Sequence, residues 1–493
     1  MKIGFDNDLY IKLQTEQIRK RISQFNNKLY LEFGGKLFDD YHAARVLPGF
    51  VPDAKIRLLR SMADQAELVF CISADNIEKN KIRADLGISY DQDLLRQIDM
   101  VRGMGIEVNS VVITRYTGQA AADQFKNKLD ALGIRNYIHR PIKGYPSDVD
   151  HIVSEEGYGA NPYIETTKPL VVVTAPGPGS GKLATCMSQL YHDHARGVTA
   201  GYAKFETFPI WNIPLKHPVN VAYEAATADL NDVNMIDPFH LEAYGETTVN
   251  YNRDVEVFPL LNAIFRRIYG ESPYKSPTAM GVNMAGNAII DDAVCQDASR
   301  LEILRRYYTG AVDRVKGKCD DTLIYKLEMV MQQAGVTTDY CPAVAASLKR
   351  AEDTGAVAGA LVLHDGTVIT GKTTPLLGAS AALLLNALKY LAGIDKKLEL
   401  IPASVIEPIS RMKTTYLSHH NPRLHSDEVL LALAISGVTN PLAAMVEKYL
   451  PALKGCDAHF SVIISGEDIQ LYQRLGINVS CEPKYEVKKL YHK

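Results

Sequence analysis

The sequence lacks the cysteine spacing that a disulfide framework or a structural zinc site requires. Seven cysteines are scattered along 493 residues, and no two of them stand in Cys-x-x-Cys spacing. An odd number of isolated thiols is typical of a reducing compartment rather than of a secreted, cross-linked domain. We therefore expect a cytoplasmic protein that holds no metal and needs no zinc.

Long apolar runs are also missing, as is an excess of charge of one sign. The longest apolar run, around 379–385, is far shorter than the roughly 20 residues of a membrane span. The 54 basic and 57 acidic residues give a net charge of −3, and no basic cluster indicates a nucleic-acid surface. We expect neither a membrane nor a nucleic acid as partner, and a homo-oligomer is compatible with the sequence.

Hydrophobic periodicity predicts an α/β protein of several domains, because single cores stop growing well below this length. Strands alternate with helices in residues 1–230, which predicts a wound, mostly parallel sheet. Residues 231–345 read as a mainly helical region. Residues 346–493 return to a smaller α/β subdomain, with a hairpin around Asp365-Gly366 and a further strand over 398–409.

The most informative segment is a glycine-rich turn between a β-branched strand at 169–174 and a helix. Glycine lets the backbone approach a phosphate closely, and a helix N-terminus adds N–H donors and a positive dipole end. A lysine in the first helical turn can reach a terminal phosphate. The predicted phosphate- or nucleotide-binding residues are Gly177, Gly179, Ser180, Gly181, Lys182 and Thr185.

This turn departs from the standard phosphate-loop pattern at two positions. Pro176 stands where the first glycine belongs, and Leu183 stands where a serine or threonine ligates magnesium. Thr185 lies nearly one helical turn further on, so a strong magnesium requirement is not expected. The alternative interpretation is a tight strand-to-helix connection that binds nothing.

A second segment, at 366–373, satisfies the phosphate-loop pattern letter for letter. Its intervening residues include Val368 and Ile369, which are typical of a strand. We interpret this match as chance and expect Lys372 to play no part in nucleotide binding.

Two further polar segments are candidates for a site. The first follows a strand at 28–33, at whose carboxyl end a wound sheet gathers ligands; its residues are Gly34, Gly35, Lys36, Asp39, Asp40 and His42. The second, at 418–428, offers His420, His425 and Asp427 as catalytic candidates, in addition to Lys182 of the glycine-rich turn. A solvated loop and a capped helix start are the alternative interpretations.

Three segments carry a resemblance to a known family. Residues 31–40, 42–50 and 174–185 read LEFGGKLFDD, HAARVLPGF and TAPGPGSGKLAT. They resemble the bacterial "domain of unknown function 1846" family, and the resemblance covers essentially the whole chain. It implies an N-terminal α/β part, a helical part and a smaller C-terminal α/β subdomain, and it supplies no reaction.

Three functions remain open from the sequence. The first is an enzyme that acts on a nucleotide or phosphorylated small molecule bound at the Gly177–Lys182 turn. The second is a ligand-binding or regulatory protein that uses the same turn without turnover. The third is a nucleotide-independent enzyme centred on residues 419–428.

Overall fold

The computed structural model describes residues 2–83 and 86–486. Two compact units make up the chain. The N-terminal unit comprises Lys2–Glu224 and Asn231–Gln296, and the C-terminal unit comprises Ala225–Leu230 and the described residues of Asp297–Lys493. The three ranges expected from the sequence stay a prediction, since compactness and sequence pattern divide the chain by different criteria.

Helices account for most of the regular structure. In chain order they are α1 Asn7–Gln24, α2 Tyr41–Val46, α3 Ala54–Arg60, α4 Ala74–Glu78, α5 Tyr90–Gly103, α6 Ala120–Ala131, α7 Val149–Ile152, α8 Lys182–Ala195, α9 Pro218–Ala226, α10 Pro238–Tyr244, α11 Asn252–Tyr269, α12 Pro277–Met280, α13 Asp292–Val315, α14 Asp321–Ala334, α15 Pro342–Thr354, α16 Ala379–Leu391, α17 Ala403–Thr415, α18 Ser426–Ser436, α19 Pro441–Glu447 and α20 Gly466–Arg474.

The strands fall into two main sheets and two small ribbons. In chain order they are β1 Leu29–Phe33, β2 Ala66–Ser73, β3 Ile82–Arg83, β4 Ile88–Ser89, β5 Glu107–Thr114, β6 Asn136–Ile138, β7 Leu170–Thr174, β8 Gly201–Phe205, β9 Asn234–Ile236, β10 Val249–Tyr251, β11 Gly281–Val282, β12 Ala358–Val362, β13 Val368–Lys372, β14 Asp457–Phe460 and β15 Asn478–Cys481. β3 pairs with β4 and β9 pairs with β10.

The N-terminal unit is built on a seven-stranded sheet in the order β11-β8-β1-β7-β2-β5-β6. Every neighbouring pair is parallel. The strands β1, β2 and β7 are buried along their whole length. Continuous apolar strands of this kind are expected where helices cover both faces of a parallel sheet, so the wound, parallel sheet is confirmed.

The C-terminal unit carries a smaller sheet in the order β13-β12-β14-β15. β12 pairs antiparallel with both neighbours, and β14 pairs parallel with β15. Its core includes Leu383 and Leu384 of α16 and Phe460 of β14. The smaller C-terminal α/β part is therefore confirmed. The range 231–345, predicted to be mainly helical, contains the long helices α11, α13 and α14 and also the short strands β9, β10 and β11.

The literal phosphate-loop pattern lies on a strand, as expected. Residues Val368–Lys372 form β13, and Gly371 stands opposite Gly359 of β12. A Cβ atom at Gly371 would lie 2.3 Å from the backbone nitrogen of Leu383. The glycine therefore allows α16 to pack closely on the strand.

The strand predicted over 398–409 is wrong. Helix α17 begins at Ala403 and continues to Thr415. The β-branched residues Val405, Ile406 and Ile409 suggested a strand, but they recur at helical spacing and all pack into the core of the C-terminal unit. Burial of one helical face outweighs the local strand preference.

Candidate functional site

The glycine-rich turn lies where the sheet changes its winding direction. After β7 the chain runs through α8 to β8, on the far side of β1, whereas after β2 it runs through α4 and α5 to β5 in the opposite direction. The loops that follow β7 and β2 therefore diverge. In open α/β sheets the crevice between such loops, at the carboxyl edge, is where ligands bind.

Two glycines of the turn adopt a backbone conformation that other residues avoid. Gly179 has φ +71° and Gly181 has φ +82°, and Gly181 immediately precedes the first residue of α8. No atom would lie within 4 Å of a Cβ at Gly179, so the turn is open on that side. Left-handed residues next to right-handed ones direct successive N–H groups into a concavity that favours anions.

The other side of the turn packs against Tyr90 of α5 and against Thr114 at the carboxyl end of β5. A Cβ at Gly177 would lie 2.5 Å from the ring of Tyr90, and one at Gly181 would lie 2.9 Å from Thr114. The Thr114 hydroxyl donates to the Ser180 carbonyl oxygen at 2.7 Å. Only glycine fits at both contacts, so the turn is fixed in place before any ligand arrives.

The predicted ligand residues differ in what their side chains do. The Ser180 hydroxyl donates to the Gly177 carbonyl at 2.5 Å, and the buried Thr185 hydroxyl donates to the Gly181 carbonyl at 3.0 Å. Both hydroxyls therefore stabilise the turn through hydrogen bonds to its own backbone. Lys182, in the first turn of α8, is half-buried and remains accessible.

The second predicted segment lies at the same edge, because β1 neighbours β7. Asp40 forms an ion pair with the buried Lys55 at 2.9 Å, and Lys55 also donates to the Gly34 carbonyl at 3.3 Å. Burial opposes ionisation of Asp40, but the Lys55 ammonium holds the pKa of that carboxyl below its usual value. Gly35 and Lys36 are exposed.

Helix α5 connects the two predicted segments. Its Arg96 lies 3.7 Å from Asp39 and 2.8 Å from Asp93. The same helix begins with Tyr90, against which Gly177 packs. His42, the last residue of the predicted segment after β1, has its ring 5.2 Å from that of Phe208. The structure therefore brings both segments to one edge of one sheet.

A buried polar cluster at this edge was not predicted from the sequence. Lys204, near the end of β8, lies 2.8 Å from Glu206 and in direct contact with Asp254 and Tyr251. Glu32 of β1 stands beside Lys204 in the sheet and accepts a hydrogen bond from Tyr202 at 2.8 Å. Charged residues inside otherwise apolar strands were the signal that could have found it.

The histidine-rich segment at 418–428 belongs to the C-terminal unit and serves helix starts there. The His425 backbone donates to Glu428 at 2.7 Å, and Glu428 pairs with the buried Lys413 at 2.7 Å. Asp468 accepts from the Ser426 backbone and from the Ser426 hydroxyl. His419, His420 and Asp427 are exposed.

Asp468 is expected to make the unfolding free energy of the protein depend on pH below about pH 4. Burial opposes its ionisation, but hydrogen bonds from His425 and Ser426 lower the pKa of Asp468 to about 2. A depressed carboxyl pKa adds stability above pH 4, on the order of 2 kcal/mol, that is lost as the pH falls toward 2. Asp468→Asn should therefore cost about that much at pH 7 and flatten the acid limb in urea titrations.

The hydrogen bond to Asp468 also raises the pKa of His425, against the effect of burial. The contribution of His425 is therefore complete below its unfolded pKa and is lost as the pH rises through the raised folded value. If wild type and Asp468→Asn have equal unfolding free energies at pH 7, the assignment is contradicted. Exposed Asp427→Asn is the matched control, for which no change is expected.

Two features are absent from residues 2–83 and 86–486. Among these residues, no group of three or more His, Cys, Asp or Glu side chains is arranged to hold a metal ion. No helix within the described ranges combines the length and the apolar character that crossing a bilayer requires. The expectation that the protein needs no zinc stays a prediction.

Comparison with known proteins places the whole chain in one family. Residues 3–335 match "Domain of unknown function DUF1846, N-terminal", and residues 339–491 match "Domain of unknown function DUF1846, C-terminal". UPF0371 proteins of Streptococcus thermophilus and Streptococcus uberis are each 55% identical over 492 residues and are covered completely, as is this chain. A UPF0371 protein of Streptococcus pyogenes is 55% identical over 491 residues. The chain therefore belongs to the DUF1846 family, whose members in these bacteria are called UPF0371 proteins.

Proposed function

We propose that the protein is an enzyme that binds a nucleotide or another phosphorylated small molecule at the Gly177–Lys182 turn. The observation that carries the proposal is the pair of left-handed glycines, Gly179 and Gly181, fixed against Thr114 and open on the other side. Such a turn before a 14-residue helix combines free N–H donors with the positive end of the helix dipole. Lys182 adds a charged donor at the same place.

The position of the turn supports a small ligand rather than a macromolecule. It lies at the carboxyl ends of the strands, between loops that diverge, which is where open α/β sheets bind metabolites, and the net charge of −3 does not favour nucleic acid. Nucleotides and sugar phosphates are cytoplasmic metabolites, and the proposal places the protein in that compartment.

Catalysis is favoured over simple binding by the ionisable groups at the same edge. Lys204, Glu206 and Asp254 are largely buried near the strand ends, where a binding protein has no need of them. Clusters of this kind are concentrated at catalytic sites. A non-catalytic sensor that uses the same turn is the alternative, and turnover of a bound ligand separates the two.

The centre at residues 419–428 has less support. Of its groups, His425 and Glu428 are engaged at the start of α18, with Asp468 and Lys413 as their partners. These hydrogen bonds and this ion pair explain the polar cluster, because they join helices of the C-terminal unit to one another.

Titration calorimetry with a panel of nucleotides and sugar phosphates tests the proposal. We expect at least one member to bind at millimolar concentration or below, which corresponds to about −4 kcal/mol or better. Binding should depend only weakly on magnesium, because Leu183 replaces the metal-ligating hydroxyl and Thr185 is buried beneath the turn. If no member binds at millimolar concentration, with or without magnesium, the turn is only a connection.

A further inference from the structure

The buried cluster at the end of β8 holds more negative than positive charge. Its members, called here the edge cluster, are Glu32, Lys204, Glu206, Tyr251 and Asp254. Three carboxyl groups thus surround a single ammonium group. Glu206 is 4% exposed and Glu32 is 9% exposed. Buried like charges repel strongly, and such a group lowers its energy by binding a proton.

Glu206 is the member whose surroundings favour the neutral form. It is the least exposed of the three carboxyls, and Asp254 shares its ammonium partner. Burial, followed by the effect of Asp254, raises the pKa of Glu206 against the influence of Lys204. Tyr223 of α9 and Tyr251 of β10 also face this group.

The hydrogen bonds around Glu206 indicate which oxygen holds the proton. Its Oε1 accepts from Tyr251 at 3.2 Å and lies 2.8 Å from Lys204 Nζ. The proton therefore belongs on Oε2, which would lie 3.5 Å from a Cβ at Gly281. The Trp211 ring packs on the same glycine, and its Nε1 is buried with no hydrogen-bond partner among the described residues. An unused donor thus lies in the neighbourhood of the carboxyl.

The edge cluster is within reach of a ligand on the glycine-rich turn. β7, which carries the turn, and β8, which carries Lys204, are the two neighbours of β1. Strands of a sheet are about 4.8 Å apart, so their ends are separated by about 10 Å. A nucleotide or sugar phosphate can bridge this span.

We propose that Glu206 is protonated at neutral pH and exchanges that proton with the ligand held at the Gly177–Lys182 turn. The proton leaves Glu206 for an oxygen or nitrogen atom of the phosphorylated substrate, which extends from the turn across the end of β1 to the edge cluster. The resulting carboxylate is stabilised by the Lys204 ammonium and the Tyr251 hydroxyl, and the reverse step returns the proton. The exchange rests on the proposed function, whereas the protonation of Glu206 does not.

Infrared pH titration of the full chain tests the protonation. A neutral carboxyl has a C=O band that an ionised one lacks, and the difference between wild type and Glu206→Gln isolates the band of Glu206. We expect this band at pH 7 and its loss as the pH rises further. Glu482→Gln is the matched control, since the His459 hydrogen bond lowers the pKa of Glu482, and it should leave the band unchanged.

Asp254→Asn gives a second readout that keeps Glu206 in place. Because the Asp254 carboxylate raises the pKa of Glu206, its neutralisation should move the midpoint of the titration to lower pH. A difference spectrum without a neutral carboxyl band at pH 7 would overturn the proposal, as would a midpoint that Asp254→Asn leaves unchanged.

Infrared difference spectra of the full chain at pH 7, with and without ATP, test the exchange. Because the proton passes from Glu206 to the bound ligand, ATP should remove the neutral carboxyl band of Glu206 in wild type and should change no such band in Glu206→Gln. If ATP and the other phosphates of the panel fail to bind while the infrared band is present, the proposed function and the exchange fall and the protonation stands. If ATP binds and leaves the neutral carboxyl band of Glu206 in place, the exchange falls alone, and the proposed function and the protonation of Glu206 stand.

Discussion

Replacing Lys182 by alanine is expected to weaken binding of phosphorylated ligands by about tenfold to more than a hundredfold. A hydrogen bond from a charged donor contributes roughly 1.5–3 kcal/mol, and each 1.4 kcal/mol corresponds to about a factor of ten in affinity. Lys182 stands in the first turn of α8, directly after the left-handed Gly181, and its side chain is not fully buried. Calorimetry with the tightest ligand of the panel measures the loss.

Lys372→Ala is the matched control for this prediction. Lys372 occupies the lysine position of the literal phosphate-loop pattern, but it lies on β13 of the C-terminal unit. Its replacement should leave affinity unchanged. Equal affinities of wild type and Lys182→Ala would contradict the proposed site, and a loss beyond tenfold in Lys372→Ala would show that the other segment binds the ligand.

Comparison of Gly179→Val with Gly197→Val separates two effects of valine, blocking the approach of a phosphate and straining the backbone. Gly179 has φ +71° with open space around its Cβ position, so valine would project into the path of the ligand as well as strain the turn. Gly197 has φ +76° and equally open surroundings, but it follows the far end of α8. Gly197→Val should therefore bear the strain without the loss of binding.

Gly371→Val is expected to destabilise the C-terminal unit by about 3 kcal/mol or more, since overpacking in a core costs about 1–3 kcal/mol even where neighbours can move. A Cβ at Gly371 would lie 2.3 Å from the nitrogen and 2.5 Å from the Cα of Leu383. These are backbone atoms of a buried helix, and they cannot rotate away as a side chain can. Urea unfolding measures the change.

The neighbouring lysine provides the contrast for this prediction too. Lys372→Ala removes a half-buried side chain from the same strand without adding an atom to the contact with α16. Its effect on the unfolding free energy should be small. A change below about 1 kcal/mol in Gly371→Val would mean that α16 does not pack on β13 as closely as described.

Local patterns in the sequence predicted the elements whose conformation is decided by near neighbours. The β-branched run at β7, the alternating glycines and the helix after them are consecutive in sequence, and the structure contains them in that order. The same holds for the hairpin of β12 and β13 around Asp365-Gly366. The strand expected over 398–409 failed because β-branched residues fit either state, and contact with the core selected the helix α17.

Local sequence was enough to predict the glycine-rich turn and its lysine, because the conformation of a strand, a turn and a helix start depends on adjacent residues. The groups that share the carboxyl ends of the strands with that turn follow from the tertiary structure instead. Glu32 and Asp254 are far apart in the chain, and they come together around Lys204 because β8 pairs with β1 and α11 packs on the same face. Strand order depends on pairing between distant segments, and no local pattern encodes which segment pairs with which.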